Sequence, residues 1–194
     1  MNNKGSTALL ILGVIVVIVL LVGLYIGGTY NSLVNKDVST SNSWAKVQTA
    51  YERRADLIPN LVETVKGYST YEGDVQKSVA ALRSGIKDAK NPGELDSVGK
   101  QMNSLISDLI VSVEAYPDLK ASENYLALQD ELAGTENRIK FERDNYNDAV
   151  KTYQISIRTF PSNIIAGMFG FTLDKWDMFE ANEGAENVPV VNFD

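Results

Sequence analysis

Residues 8–28 read ALLILGVIVVIVLLVGLYIGG, a stretch without a single charged side chain. The uncharged region is longer still, because no charged residue lies between Lys4 and Lys36. An α-helix rises about 1.5 Å per residue, so about 20 apolar residues cross about 30 Å of hydrocarbon. The stretch therefore predicts a transmembrane helix over residues 8–29, preceded by a short N-terminal tail over residues 1–7.

A cleaved signal peptide is the alternative interpretation of this apolar run. Signal peptides have an apolar core of about 7–15 residues followed by a small-x-small cleavage site. This run is longer, and the sequence that follows it, GGTYN at residues 27–31, contains no such site. We therefore expect an uncleaved, single-pass anchor. Basic residues near the run are more numerous on its C-terminal side, which favours a cytoplasmic main domain; these are Lys36, Lys46, Arg53 and Arg54.

The composition bears on the chemistry that the chain can perform. It contains neither histidine nor cysteine, which excludes Ser-His-Asp and Cys-His catalysis and histidine-bound zinc. No glycine-rich phosphate loop is present, and a net charge of −7 without a basic stripe disfavours nucleic-acid binding. Composition leaves open a carboxylate-only metal site and a Ser-Lys dyad, although no spacing indicates either. We expect a non-enzymatic protein with no cofactor, no metal and no nucleic-acid partner.

The rest of the chain repeats apolar residues at helical spacing. Steps of three and four from Trp44 predict one long helix, which packs one face on a partner helix and ends at Asn91-Pro92-Gly93. The stripe on that face comprises Val47, Tyr51, Arg54, Ile58, Leu61, Val65, Tyr68, Glu72, Val75, Val79, Leu82 and Ile86. A second helix follows as far as Pro117, and a third runs on to Pro161.

These patterns predict an all-α fold: a single N-terminal transmembrane helix followed by an elongated antiparallel helical bundle over residues 30–180. Two topologies stay open at Pro117, which either kinks one long return arm or marks a full reversal that gives a three-helix bundle. Pro59 lies inside the first helix and is expected to bend it. Residues 181–194 are predicted to form a solvated acidic tail.

Charged residues interrupt the apolar stripes of the helices. Arg54, Glu72 and Glu142 occupy positions where an apolar side chain is expected, and a desolvated charge requires a partner. Ion pairs between helices that fix their register are one interpretation, and a polar groove or an oligomer contact is the other. Arg54→Leu is expected to leave a partner carboxylate unpaired and to destabilise the bundle by about 3–5 kcal/mol if the site is buried. The predicted polar seam comprises Arg53, Arg54, Glu72, Glu114, Glu131, Glu136 and Glu142.

Residues 161–179 read PSNIIAGMFGFTLDKWDMF and are rich in apolar side chains. The segment is too short, and too interrupted by Gly167 and Gly170, to span a membrane. It has three possible locations: docked on the bundle as a cap, in the membrane interface, or in the groove of a neighbouring subunit. The predicted interaction residues are Ile164, Ile165, Met168, Phe169, Phe171, Trp176 and Phe179.

Several ordered motifs resemble those of the LemA family of bacterial membrane proteins. The first is YERRADLIPNLVETVKGY at residues 51–68, and the later ones are EAYPDLKA at 114–121, LQDEL at 128–132, TEN at 135–137, YN at 146–147 and FPSN at 160–163. The resemblance implies one N-terminal span in a bacterial cell membrane, a helical bundle and no established biochemical activity.

Two functional hypotheses follow from these expectations. In the first, the protein is a membrane-anchored scaffold that contacts lipid through residues 8–29 and self-associates through its helices. In the second, it is an accessory subunit or adaptor of another membrane protein, such as a membrane quality-control protease.

Overall fold

The computed structural model of the chain describes residues 3–65, 72–114 and 116–180. Over these ranges the chain is helical and contains no strand, which confirms the all-α fold with a long N-terminal apolar helix followed by bundle-like helix packing. The acidic tail lies outside the described residues. The elements are α1 (Asn3–Val65), α2 (Glu72–Asp88), α3 (Pro92–Glu114), α4 (Pro117–Lys120), α5 (Glu123–Arg158), α6 (Ser162–Phe169) and a 3₁₀ turn at Leu173–Lys175.

The chain divides into two compact units, each of which uses part of α1 and part of α5. One unit consists of Met1–Ser41 with Ala149–Lys175, and the other of Asn42–Asp148 with Trp176–Asp194. The second unit is called the bundle unit below, and the first the anchor unit.

In the bundle unit, α1, α2, α3 and α5 run in alternating directions. Side-chain contacts fix each pairing: Gln48 of α1 donates hydrogen bonds to the carbonyls of Ile86 and Ala89 at the end of α2. Tyr146 of α5 contacts Trp44 of α1, with 5.3 Å between the ring centroids. Glu131, nearer the start of α5, lies 3.9 Å from Arg53, which is further along α1, so α1 and α5 are antiparallel. The unit is therefore a four-helix arrangement of the up-down-up-down type.

The prediction of one continuous helix from Trp44 to Ile86 is wrong. Arg83 of α2 pairs with Asp56 of α1 at 2.7 Å. In a continuous helix these residues would lie about 40 Å apart, since each of the 27 intervening steps rises about 1.5 Å. Thus α2 runs back along α1, and the predicted stripe belongs to two helices. Tyr68 of that stripe lies outside the described residues.

Local capping chemistry produces the turn between α2 and α3. The Asn91 side chain accepts a hydrogen bond from the Glu94 N–H at 2.9 Å, and the Glu94 carboxylate accepts one from the Lys90 N–H at 2.7 Å. This reciprocal pair resembles a capping box, and Pro92 follows it as the first residue of α3. The sequence Asn-Pro-Gly therefore ends one helix and starts the next.

Pro117 lies within a full reversal of the chain, as in the second alternative, but the bundle has four long helices instead of the three predicted, because α1 and α2 are separate helices. Near the start of α3, Asp96 pairs with Arg143 of α5 at 2.9 Å, while at its other end Ile110 lines a cleft with Gln129 of α5. The two helices are therefore antiparallel, with α4 between them.

The apolar stripes point into the bundle as their spacing predicts. In α1 and α2, every described stripe position from Val47 to Val65 and from Val75 to Ile86 is buried. Gly99 of α3 lets α1 approach, because a β-carbon there would lie 2.8 Å from Cε1 of Tyr51. The four-helix packing therefore includes a direct contact between α1 and α3.

The anchor unit contains the apolar part of α1. Among the described residues, α1 is the one helix long and apolar enough to cross a membrane; its most apolar window has a mean hydropathy of 3.3 and buries none of its surface. The chain after α5 packs against α1 beyond this run: Phe169 lies on Tyr30, and Lys175 pairs with Asp37 at 2.7 Å. Gly170 ends α6 with a positive φ of 76°, which its missing side chain permits.

Candidate interaction site

The predicted polar seam lies largely between α1 and α5 of the bundle unit. Arg54 forms an ion pair with Glu136, and Arg53 lies 3.9 Å from Glu131. The two pairs differ in burial, because the Arg54 side chain is 10% exposed whereas that of Arg53 is 71% exposed. Of these two pairs, the Arg54 pair is therefore the one that includes a desolvated charge.

Arg54 lies at the base of a groove between α3 and α5. Adjoining clefts of about 640 and 510 Å³ share Arg54, Asn103 and Glu136 in their linings. Its Nε is buried without a hydrogen-bond partner, and burial lowers the pKa of the guanidinium below its usual value. Neighbouring Tyr51 is buried as well, and burial raises the pKa of its phenol. The groove therefore has a charged base, with polar and apolar side chains above it.

Among the seam acids whose side chains the structure describes, Glu142 is the most deeply buried, with a side chain that is 4% exposed. Its partner is Arg138, one turn earlier on α5, at 2.6 Å. The two residues also line a cleft of about 620 Å³ between α1 and α5, together with Lys46 and Arg53. Glu142 is thus paired within its own helix rather than across the bundle.

The remaining predicted seam residues lie elsewhere. Glu114 is exposed at the C-terminal end of α3. Glu72 is the first residue of α2, and its side chain lies outside the described residues. Among the described residues, no group of three or more carboxylates converges in a way that could hold a metal ion.

Part of the C-terminal segment is packed inside the bundle unit. Phe179 is 6% exposed and lies between the rings of Trp44 and Tyr146, with the Arg143 guanidinium 4.3 Å from its ring centroid. Asn147 holds the backbone of Phe179 with two hydrogen bonds. Sequence reasoning did not assign a role to Asn147, because a clamp on an extended backbone leaves no periodic signal; its place in the YN motif was the available hint.

The part of the segment up to Lys175 belongs to the anchor unit, and the side chains of the segment are divided between buried and exposed. Ile165 is 4% exposed, whereas Ile164, Met168 and Phe169 are between 50% and 68% exposed. Phe171 and Trp176 are half-buried, the latter in the bundle unit. The exposed subset of the predicted interaction residues is therefore Ile164, Met168 and Phe169.

Comparison with known proteins agrees with this architecture. The LemA family profile matches residues 43–193. Protein LemA of Metamycoplasma hominis is 29% identical over 72% of this chain, and the alignment spans only 64% of that relative. Magnetosome protein MamQ 2 of Paramagnetospirillum magneticum is 24% identical over 84% of this chain and 69% of its own length. The family match covers most of the chain, including α1 from residue 43 onward and all of α2 to α5, and the chain therefore belongs to the LemA family.

Proposed function

We propose that this chain is a membrane-anchored, non-enzymatic scaffold that self-associates through its helical bundle on one side of a bacterial cell membrane. The proposal rests on the fact that α1 is one continuous helix with two different parts. One helix, Asn3–Val65, supplies both an exposed, uncharged apolar run and one of the four bundle helices. An anchored protein diffuses in two dimensions with every copy in the same orientation, so weak lateral contacts gain effective concentration.

Exposed apolar side chains at one end of the bundle unit support lateral contacts. Val111 near the end of α3 is 62% exposed, and Leu126 near the start of α5 is 48% exposed. Tyr116, between these helices, is 37% exposed. Clustered exposed apolar residues are typical of protein–protein contact sites. We assign these three residues, called the tip residues below, to the contact between copies.

The mass of the full chain in lipid nanodiscs or mild detergent tests self-association. We expect a homo-oligomer by native mass spectrometry and chemical cross-linking, dispersed by Val111→Glu with Leu126→Glu. The matched controls are Ser104→Glu and Ala127→Glu, which place the same charges at exposed positions of the same helices. A chain that stays monomeric at every concentration would overturn the scaffold and favour the accessory-subunit alternative.

Membrane location and orientation have a separate test. The chain has no cysteine, so a single Lys87→Cys variant carries one unique thiol at an exposed position of the bundle unit. We expect the full chain to resist carbonate extraction and the thiol to react with a membrane-impermeant maleimide only after the cells are opened. Reaction in intact cells would place the bundle outside, and extraction by carbonate would remove the anchor from the proposal.

A further inference from the structure

The short helix α6 lies beside the end of the apolar run of α1. The ring centroid of Phe169 is 4.8 Å from that of Tyr30, and the ring of Phe171 is 6.0 Å away. Tyr30 follows Gly28, the last residue of the run, by two positions, which is about 3 Å along the helix axis. The level of α6 along α1 is therefore the level at which the proposed span ends.

One face of α6 is apolar and exposed. Ile164 and Met168, one helical turn apart, are 55% and 68% exposed, whereas Ile165 and Ala166 turn inward and are buried. No charged residue lies between Arg158 and Asp174. An uncharged helix that exposes large apolar side chains on one face requires a partner that is itself apolar.

Polarity changes along α1 in the order that a membrane surface would impose. The apolar run comes first, followed by the aromatic contact of Tyr30 with α6. About 10 Å further along the helix, Asp37 pairs with Lys175 at 2.7 Å. Tyrosines at the boundary between hydrocarbon and headgroups are typical of membrane proteins, and Tyr25 and Tyr30 are 47% and 38% exposed.

We infer that α6 lies in the membrane interface, with Ile164 and Met168 inserted at the boundary between phospholipid headgroups and acyl chains. Helices of this kind bury an apolar face about 5–10 Å into that boundary. The exposed face of α6 thus contacts the same bilayer that the anchor spans, because α6 lies where that anchor leaves the hydrocarbon. This inference rests on the proposed function, because it requires α1 to be inserted.

Site-directed spin labelling of the full chain in phosphatidylcholine–phosphatidylglycerol nanodiscs tests the inference. Single cysteines replace Val16 in the apolar run, Met168 on the exposed face of α6, Asn163 elsewhere on α6, and Ser104 on the bundle surface. Collisions with oxygen, which dissolves in lipid, are compared with collisions with a water-soluble nickel chelate. We expect the Met168→Cys label to resemble the Val16→Cys label, accessible to oxygen and shielded from nickel. The Asn163→Cys and Ser104→Cys labels should be freely accessible to the nickel chelate.

The outcomes separate failure of the inference from failure of the anchor. If nickel reaches the Met168→Cys label while the Val16→Cys label stays shielded, α6 is outside the lipid and only the inference falls. If both reagents are excluded from the Met168→Cys label, another protein surface covers this face, and the inference falls as well. Equal shielding at Asn163→Cys and Met168→Cys would contradict a helix that inserts one face. Free nickel access to the Val16→Cys label would overturn the anchor itself.

Discussion

Asn147 exchanges two hydrogen bonds with the backbone of Phe179: its amide nitrogen donates to the Phe179 carbonyl at 3.1 Å, and its amide oxygen accepts from the Phe179 N–H at 2.9 Å. The neighbouring Tyr146 hydroxyl donates to the carbonyl of Asp177 at 2.9 Å. Two successive residues of α5 thus satisfy the backbone of an extended segment that carries a buried aromatic ring. The contact joins the end of the described chain to the bundle unit.

Asn147→Ala should therefore lower the free energy of unfolding by about 1–3 kcal/mol, because the Phe179 N–H and C=O lose their partners where water has little access. Urea titration of the full chain in micelles, followed by circular dichroism, measures the change. Asn137→Ala is the matched control, since Asn137 is exposed on the same helix and its loss should change stability by less than about 0.5 kcal/mol. Equal shifts for the two variants would contradict the clamp.

The burial of Arg54 and Glu136 is unequal, which predicts an asymmetric response to mutation. Arg54 is 10% exposed and Glu136 is 54% exposed. The Arg54 site is buried, but Arg54→Leu leaves a hydrated carboxylate, so we expect a cost of about 1 kcal/mol or less, smaller than the loss predicted from the sequence for a buried site. Glu136→Gln leaves a desolvated guanidinium without its counter-charge and should cost up to about 3 kcal/mol.

The same urea titration compares the two variants of this pair. Glu131→Gln is the control, because it removes the partner of the exposed Arg53 and should cost less than about 1 kcal/mol. A greater loss for Arg54→Leu than for Glu136→Gln would show that the guanidinium stabilises the bundle by contacts other than this pair.

Helical spacing could predict which positions are buried, but not which helices they belong to. The stripe from Val47 to Ile86 is buried wherever it is described, because each helix needs one apolar face whatever its direction. The spacing did not reveal the reversal between α1 and α2, since a period of 3.5 continues by chance from one helix into the next. The need of Arg54 for a carboxylate was predictable, whereas the choice of Glu136 depended on the topology.

The reversal between α1 and α2 predicts a cross-link that a continuous helix could not form. Asp56→Cys with Arg83→Cys should be joined by a short bismaleimide, because the native side chains are in contact. Asp56→Cys with Asp74→Cys should not, since Asp74 lies about 13 Å from Arg83 along α2. In a continuous helix the first pair would lie about 40 Å apart and the second about 27 Å apart, so neither would be joined. Intact mass of the monomer band detects the cross-link, and both native side chains are exposed enough for replacement to cost little.

Tyr146 predicts a loss of stability at alkaline pH. Burial, followed by the nearby charge of Asp177, raises the pKa of its phenol above the usual 10.0. The unfolded chain therefore releases this proton first, so the contribution of Tyr146 is complete below pH 10.0 and declines as the pH rises above it, by up to about 1.4 kcal/mol per pH unit. Tyr146→Phe should lower stability at pH 8 through the lost hydrogen bond and should flatten the decline between pH 10 and 11.5.

Gly99 and Gly134 should respond to alanine with opposite signs. Both lie inside helices, where alanine is favoured over glycine by about 1 kcal/mol. At Gly134 nothing lies within 4 Å of the new β-carbon, so Gly134→Ala should stabilise the bundle by about 0.5–1 kcal/mol. At Gly99 the β-carbon would lie 2.8 Å from Cε1 of Tyr51, so the buried tyrosine ring would have to shift to admit it. Overpacking costs about 1–3 kcal/mol, and Gly99→Ala should therefore be destabilising despite its better helix propensity. Stabilisation by both substitutions would mean that Tyr51 does not lie on Gly99, and the direct contact between α1 and α3 would be wrong.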